Sequence, residues 1–169
     1  MKLRILDPER LIPDAHVAAE ASVRGVEVLI IDHLRNKNDG TQPNRYGLPK
    51  TNYYAEASKN VAAGVTGNKV NVEIDYPGIS MHYEGGTVYP KKKALALPID
   101  PAVAGIWPSE YSRDHKLFKT PGGALGDADT GKILYILLPH VKIPADHTVL
   151  PTDAKIFGAV EEALMEVVS

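Results

Sequence analysis

The clearest pattern in the chain is a face of small and apolar residues that recurs every three or four positions between residues 14 and 36. The members of this face are Ala15, Ala18, Ala19, Ser22, Val26, Leu29, Ile30 and Leu34. This spacing places side chains on one side of an α-helix. Asp14 precedes the face as a candidate N-cap, and Asn38, Asp39 and Gly40 follow it as a stop signal. We therefore expect an N-terminal helix over about residues 14–36.

A second helical pattern begins at Thr152 or Asp153. Its apolar positions, again three or four residues apart, are Ile156, Val160, Ala163, Leu164 and Val167. This arrangement predicts a C-terminal helix over about residues 152–168 with one buried face. Residues 37–50 are polar and rich in turn formers, and we expect them to form an exposed loop.

Between the two helices, short apolar runs separated by turn residues predict a β-rich region over about residues 60–140. Val70, Val72 and Ile74 alternate with polar residues, so these three side chains should face a core. With the apolar run at 61–65 and a Thr-Gly-Asn turn between the two runs, this alternation indicates a hairpin.

Further strands are expected at residues 94–99, 117–119, 124–125 and 133–138, the last three of which form a meander. A short helix is expected at 52–60. The chain is thus predicted to be a single α+β domain of residues 1–169. Its twisted antiparallel sheet, or meander, should pack with the N-terminal and the C-terminal helix.

The composition is that of an ordinary globular protein, with 44% hydrophobic and 24% charged residues, which excludes a disordered or collagenous chain. A net charge of -2 shows that the chain as a whole is not a cationic surface for nucleic acid. The absence of cysteine excludes disulfides, thiolate nucleophiles and cysteine-ligated metals. No apolar run is long enough for a membrane helix, and we expect no membrane partner.

Residues 126–132, GDADTGK, have the G-x-x-x-x-G-K spacing of a phosphate-binding loop. Such a loop continues with Ser or Thr and opens a helix, whereas here Ile133 follows and starts an apolar strand. We therefore interpret the segment as a turn of the meander. Asp127 and Asp129 resemble the start of a calcium loop, but the distal bidentate Glu is missing. We expect no nucleotide, metal or other cofactor.

The histidines and carboxylates show no recognised catalytic or ligand spacing. The closest pair, His82 and Glu84, lies on alternate residues of an expected strand and could supply two metal ligands at most. Glu161 and Glu162 fit a solvated helix face. We therefore expect a protein that is not an enzyme. A small hydrolase with a site spread over unlinked residues is the remaining enzymatic alternative.

Three consecutive lysines, Lys91, Lys92 and Lys93, precede the apolar strand at 94–99. Together with Arg45 and Lys50 in the long loop, they could contact phosphate groups of nucleic acid. Lysines beside an apolar strand also prevent edge-to-edge aggregation, and we favour that interpretation over contact with phosphate.

Tyr83 and Tyr89 near these lysines suggest a third interpretation, a protein interface, since aromatic side chains with cationic neighbours are typical of interfaces. Gly85 and Gly86 permit a bend. We expect the segment 83–93 to form a projecting hairpin that takes part in assembly.

Residues 75–99, DYPGISMHYEGGTVYPKKKALALPI, resemble the phage virion morphogenesis proteins, the tail-completion or head-tail joining group of Mu-like and lambdoid phages. The shared pattern is a His followed by paired glycines, then Pro-Lys-Lys and a strand of small apolar residues that ends in Pro. Residues 112–144 resemble the group's downstream hairpin with its Val-x-Ile-Pro exit, and Leu150-Pro151 also fits. One stretch departs from the pattern: members often carry Thr-Gly-x-Leu-x-x-Ser where residues 51–57 read TNYYAEA.

The resemblance implies a structural protein of the virion head-tail junction, present in the bacterial host cytoplasm during assembly. The partners it implies are further copies of the chain in a ring, the connector or neck proteins, and the tail tube or tail terminator. The assembly candidates are Tyr83, Gly85, Gly86, Tyr89, Lys91, Lys92, Lys93, Arg45 and Lys50. A DNA-contacting module that uses the Lys91 to Lys93 segment, without sequence specificity, is the alternative.

Overall fold

The computed structural model describes residues 15–41, 46–66 and 69–168 of the chain. Its helices are α1 (Ala15–Gly40), α2 (Tyr53–Ser58), α3 (Ile79–Glu84), α4 (Pro108–Tyr111) and α5 (Asp153–Val168). Its strands are β1 (Val61–Thr66), β2 (Lys69–Ile74), β3 (Gly86–Val88), β4 (Leu95–Pro98), β5 (Leu117–Lys119), β6 (Ala124–Asp127), β7 (Ile133–Leu138) and β8 (Val141–Ile143). All the strand pairs among the described residues are antiparallel, which confirms the α+β class with a helix from each end of the chain.

Contacts between residues divide the chain into two compact units. The first, here called the helical unit, comprises Met1–Gly40, Asn52–Glu84 and Asp146–Ser169, as far as these residues are described. The second, the sheet unit, comprises Thr41–Thr51 and Gly85–Ala145. Each unit has its own cluster of buried apolar side chains.

The helical unit buries the predicted face of α1 against α5 and the β1–β2 hairpin. Its buried cluster consists of Val26, Ile30, Leu34, Ala57, Val149, Ile156 and Val160. The hairpin has the predicted inward face, since Val70 is buried and Val72 and Ile74 pack on the cluster, and on the other face Glu73 is exposed while Asn71 is half-buried. The two predicted helices and the hairpin are therefore confirmed, because each is encoded by a local periodic pattern.

The structure differs from expectation in one helix boundary and in the burial of two side chains. Helix α1 continues to Gly40 rather than ending near residue 36, so the predicted loop 37–50 loses its first four residues. Asn38 is buried and its side chain accepts a hydrogen bond from the Ala55 amide, and this contact with α2 helps to hold the last turn. Leu48, expected on an exposed loop, is also buried. Val167, placed on the buried face of the last helix, is 37% exposed near its end. Asp14 lies outside the described residues.

An ion pair joins the end of α1 to the segment that leads into α5. The Lys37 ammonium donates to Asp146 Oδ2 at 2.8 Å and to Thr148 Oγ1 at 2.7 Å. Asp146 Oδ1 also accepts from the Thr148 amide and hydroxyl. The hydrogen bond from Lys37, followed by that from the Thr148 hydroxyl, lowers the pKa of Asp146 from 3.8 to about 2. A nearby bond from His33 Nε2 to the Thr148 carbonyl, 2.9 Å long, ties α1 to the same turn.

This ion pair predicts a specific loss of stability in acid. Because the folded-state pKa of Asp146 lies below its unfolded value, its stabilising contribution is complete above about pH 4 and is lost as the pH falls toward 2. We expect the thermal midpoint of Asp146→Asn to be lower than that of the native chain at neutral pH and to change less between pH 4 and 2. Asp32→Asn removes an exposed Asp32–Arg35 pair at 3.7 Å and is the control. Equal acid sensitivity of Asp146→Asn and the native chain would contradict this role.

The sheet unit contains a four-stranded sheet with the order β4-β7-β6-β5. Strands β5, β6 and β7 form the predicted meander, and β4 pairs with β7, so β4 is an edge strand. Val103, Leu134 and Tyr135 form the buried cluster, and the Tyr135 hydroxyl donates to the Ile106 carbonyl at 3.0 Å. A separate two-stranded sheet pairs β3 with β8. None of the helices in the described part of the chain is long and apolar enough to cross a membrane.

Candidate functional site

The expected hairpin over residues 83–93 is not formed. Strand β3 pairs with β8, with Gly86 opposite Ile143, and β4 pairs with β7. Pro90 lies two residues after the end of β3. Because proline has no N–H group, it cannot donate a hydrogen bond that would extend the pairing of β3 with β8, and the strand is short. The pairing partner of β3 lies more than fifty residues away in sequence, which local pattern cannot reveal.

His82 and Glu84, expected on a strand, lie instead in helix α3, which spans residues 79–84. Pro77 and Gly78 make a turn before it, and Gly85 ends it with a φ of 77°, the left-handed conformation that glycine adopts at helix ends. A Cβ on Gly85 would also lie 2.7 Å from the Ala145 amide nitrogen. His82 and Glu84 therefore do not alternate on a strand, and the His82 ring packs on Tyr53, with 4.5 Å between ring centroids.

The assembly candidates fall into two groups, because Tyr83 belongs to the helical unit and the others described belong to the sheet unit. Tyr83 is half-buried, packs on the buried cluster of the helical unit and contacts the His147 ring edge-on at 4.9 Å. Tyr89 lies in the sheet unit, 70% exposed, with its ring 5.9 Å from that of His140. Lys50 is exposed in the sheet unit, and Arg45 lies outside the described residues. Tyr83 is thus part of a core, whereas Tyr89 is available at the surface.

Lys91, Lys92 and Lys93 are exposed between β3 and β4. Two of them line an open groove of about 760 Å³, here called the lysine groove. Its lining residues are Lys92, Lys93, Ala94, Lys119, Gly123, Leu137 and Pro139. The groove therefore has three ammonium groups and a largely apolar remainder.

Antiparallel pairing explains why these residues meet. Leu95 at the start of β4 lies opposite Leu138 at the end of β7, and Lys119 at the end of β5 lies opposite Leu125 near the start of β6. The beginning of β4 and the ends of β5 and β7 are thus at the same end of the sheet. The sequence did not single out Lys119, because its proximity to Lys93 depends on the strand order.

The positive charge of the groove has no close acidic partner in the described part of the chain. Ion pairs within 4.0 Å involve Lys37, Lys59 and Lys132, but none is found for Lys92, Lys93 or Lys119. The groove can therefore bind carboxylate or phosphate groups without first breaking an internal ion pair within that distance.

The GDADTGK segment forms the turn between β6 and β7, as the sequence predicted. Asp127 Oδ1 accepts hydrogen bonds from the amides of Asp129 and Thr130 and from the Thr130 hydroxyl. These bonds, with that from Thr130's amide the largest, lower the pKa of Asp127. Lys132 lies 2.6 Å from Asp100 Oδ2, and β7 starts at Ile133. The amides of Asp129 and Thr130 therefore bind Asp127 within the turn, and Lys132 is paired with Asp100 outside it.

The turn also brings His115 close to Asp127 and Asp129, with ligand atoms within 4.8 Å of one another. The sequence pattern flagged both aspartates but not the histidine. Asp127 Oδ2 accepts from the Tyr111 hydroxyl at 2.9 Å, and the His115 ring stacks on Tyr111 with 4.4 Å between centroids. The buried carboxylate therefore has hydrogen-bond donors on both oxygens.

Two further surface or cavity features were not expected from the sequence. Trp107, the chain's one tryptophan, is 70% exposed at the start of α4. Exposed tryptophan and tyrosine side chains are common anchors of protein interfaces.

In the helical unit, a cavity of about 460 Å³ lies among core residues of α1, β2 and α5, including Ile30, Val72 and Ile156.

No match to this chain is found among protein-family models, curated proteins or solved structures. The candidate site is therefore defined by the chain's own geometry. It consists of the lysine groove, the exposed lysine and tyrosine side chains of the segment between β3 and β4, and the exposed Trp107 of the same unit.

Proposed function

We propose that the chain is a structural protein of a phage or prophage head-tail junction that works through protein–protein contacts. In this proposal several copies form a ring that contacts the connector or neck proteins on one side and the tail tube or tail terminator on the other. The proposal starts from the resemblance of residues 75–99 to the tail-completion group.

One structural observation supports an assembly role most directly: the exposed segment between β3 and β4. It carries Tyr89, 70% exposed, and three exposed lysines, and it leads into an edge strand. Interfaces favour exposed aromatic side chains with a charged rim, because the ring supplies buried area and the charges orient the partner. The segment is thus suited to hold another protein.

The same lysines beside edge strand β4 fit protection against aggregation. Reversing their charge separates the two roles, because glutamate also keeps an edge soluble but repels a partner that lysine attracts. We expect Lys91→Glu, Lys92→Glu and Lys93→Glu together to leave the circular dichroism spectrum unchanged and to abolish joining of filled heads to finished tails. The measurement is the yield of complete particles from the phage or prophage that encodes the variant chain.

A matched control changes three exposed lysines elsewhere, Lys59, Lys116 and Lys142, to glutamate. This variant has the same net charge as the first and should join heads to tails normally. Normal joining by the first variant, with the fold intact, would leave protection of the edge as the better account of these lysines.

A DNA-contacting module is the second candidate, favoured by the three lysines of the groove, for which no ion pair is found among the residues that the structure describes. Binding to phosphates weakens steeply with salt, because each neutralised phosphate releases counterions. Strong, salt-dependent DNA binding that is lost in the Lys91 to Lys93 variant would support this candidate over protein assembly.

A further inference from the structure

The side chains that line the lysine groove indicate the chemistry of a partner that would fit it. Its charged rim comes from Lys92, Lys93 and Lys119, and its apolar lining from Ala94, Leu137 and Pro139. A nucleic acid backbone would use the ammonium groups but leave the apolar lining without a complement. A surface that carries carboxylates together with exposed apolar side chains would satisfy both.

The outer face of α5 has this combination. Phe157, Glu161 and Met165 are spaced by four residues and therefore form one stripe, beside which Glu162 is also exposed. Phe157 is 46% exposed and Met165 is 74% exposed. Of the nine large apolar side chains exposed in the described part of the chain, three lie on α5. The buried side of the same helix carries Ile156 and Val160, so the outer stripe is a separate surface.

A glycine within this outer face is a second, independent observation. Gly158 is exposed in the interior of α5, and a Cβ at this position would meet no atom of the described residues within 4 Å. Glycine weakens an exposed helix relative to almost any other residue, and packing within the described part of the chain does not require it here. Its absent side chain does allow another surface to approach the helix backbone closely.

We infer that the outer face of α5 in one copy of the chain docks into the lysine groove of a second copy. Glu161 and Glu162 face the lysines, while Phe157 and Met165 cover the apolar lining. The contact is heterologous, since one surface meets a different surface, and repetition of such contacts builds rings. The inference rests on the proposed assembly function and specifies which surfaces of the chain form it.

The experiment uses two full-length variants, each blocked on one surface. The groove-blocked chain carries Lys92→Glu, Lys93→Glu and Lys119→Glu, and the helix-blocked chain carries Glu161→Lys and Glu162→Lys. Sedimentation velocity should show salt-sensitive association of the native chain and only monomers for each variant alone. An equimolar mixture should associate again, because the intact groove of one variant meets the intact α5 of the other, and the reversed charges of the two remaining surfaces also attract each other.

Gly158→Leu tests the contact with a variant that should be more stable than the native chain, so that weaker association cannot be attributed to a folding defect. Leucine should raise the thermal midpoint, because it favours the helix, and yet weaken self-association at least tenfold, because it blocks close approach. Lys116→Glu with Lys142→Glu is the control and should associate like the native chain.

Three outcomes would overturn the inference. The first is a native chain that stays monomeric at concentrations up to about 1 mM, which would place the Kd of any self-association above that concentration. The second is unchanged association of either blocked variant. The third is association that occurs only on added DNA and depends on the groove lysines, which would identify a nucleic acid site. Head-tail joining, scored separately, would show whether the assembly function survives that failure.

Discussion

Replacement of Ile156 with Asp should unfold the helical unit, whereas the same change at the neighbouring Phe157 should leave it folded. Ile156 is 2% exposed in the buried cluster with Leu34 and Val160, and Phe157 is 46% exposed. The first change removes about 1.5–3 kcal/mol of apolar burial. It also places a carboxylate without an ionic partner in an apolar cluster, for a total of about 5 kcal/mol or more. This amount is comparable to the whole stability of an ordinary domain.

Circular dichroism during thermal unfolding measures both variants under the same conditions. The Ile156→Asp chain should lack the cooperative transition of its helical signal, and the Phe157→Asp chain should have a midpoint close to that of the native chain. If both variants lose the transition, α5 is rotated relative to its described orientation. If neither does, the cluster around Leu34 is not the core of this unit.

Leucine in place of Gly25 should separate α1 from α5. A Cβ on Gly25 would lie 2.9 Å from the Ala159 carbonyl oxygen and 3.1 Å from the Ala163 Cβ, so the two helix backbones are in close contact there. A larger side chain forces them apart, at a cost of about 2–3 kcal/mol that exceeds the gain of about 0.5–1 kcal/mol in helix propensity.

Gly158→Leu provides the matched comparison, because it changes a glycine of the other helix that has open space around it. Denaturant unfolding should show a lower midpoint for the Gly25 variant and a higher midpoint for the Gly158 variant. Opposite signs would establish that the two glycines serve different purposes. A stabilised Gly25 variant would instead show that α1 and α5 do not approach each other at this point.

Sequence alone correctly predicts the elements that a local periodic pattern of apolar residues encodes. The face of α1, the face of α5 and the alternation in β2 each repeat within a few residues, and the structure has all three. His82 and Glu84 were misassigned to a strand, because a segment this short carries too few residues to distinguish a period of two from a helical period. The decisive signal there was the Pro77-Gly78 turn before the run and Gly85 after it.

The candidate site was only partly predictable for a related reason. Lys92 and Lys93 stand out as neighbours in sequence, but Lys119 joins them only through the order of four strands. The lone Trp107 could be noticed, but its exposure depends on how α4 leaves the preceding turn. Strand order and exposure are set by long-range packing, which a single sequence does not display.

The pairing of Gly86 with Ile143 has an architectural consequence. Almost the whole sheet unit lies between these two residues, and the pairing holds its points of entry and exit side by side. Segments before and after it, Asn52–Glu84 and Asp146–Ser169, belong to the helical unit. The Gly85–Ala145 part of the sheet unit is thus organised as an insertion whose anchor points are fixed by a short ladder, and Thr41–Thr51 belongs to the unit as a separate segment. Loops inside such an insertion can lengthen or shorten over evolution without displacing the two points in the chain at which the insertion begins and ends.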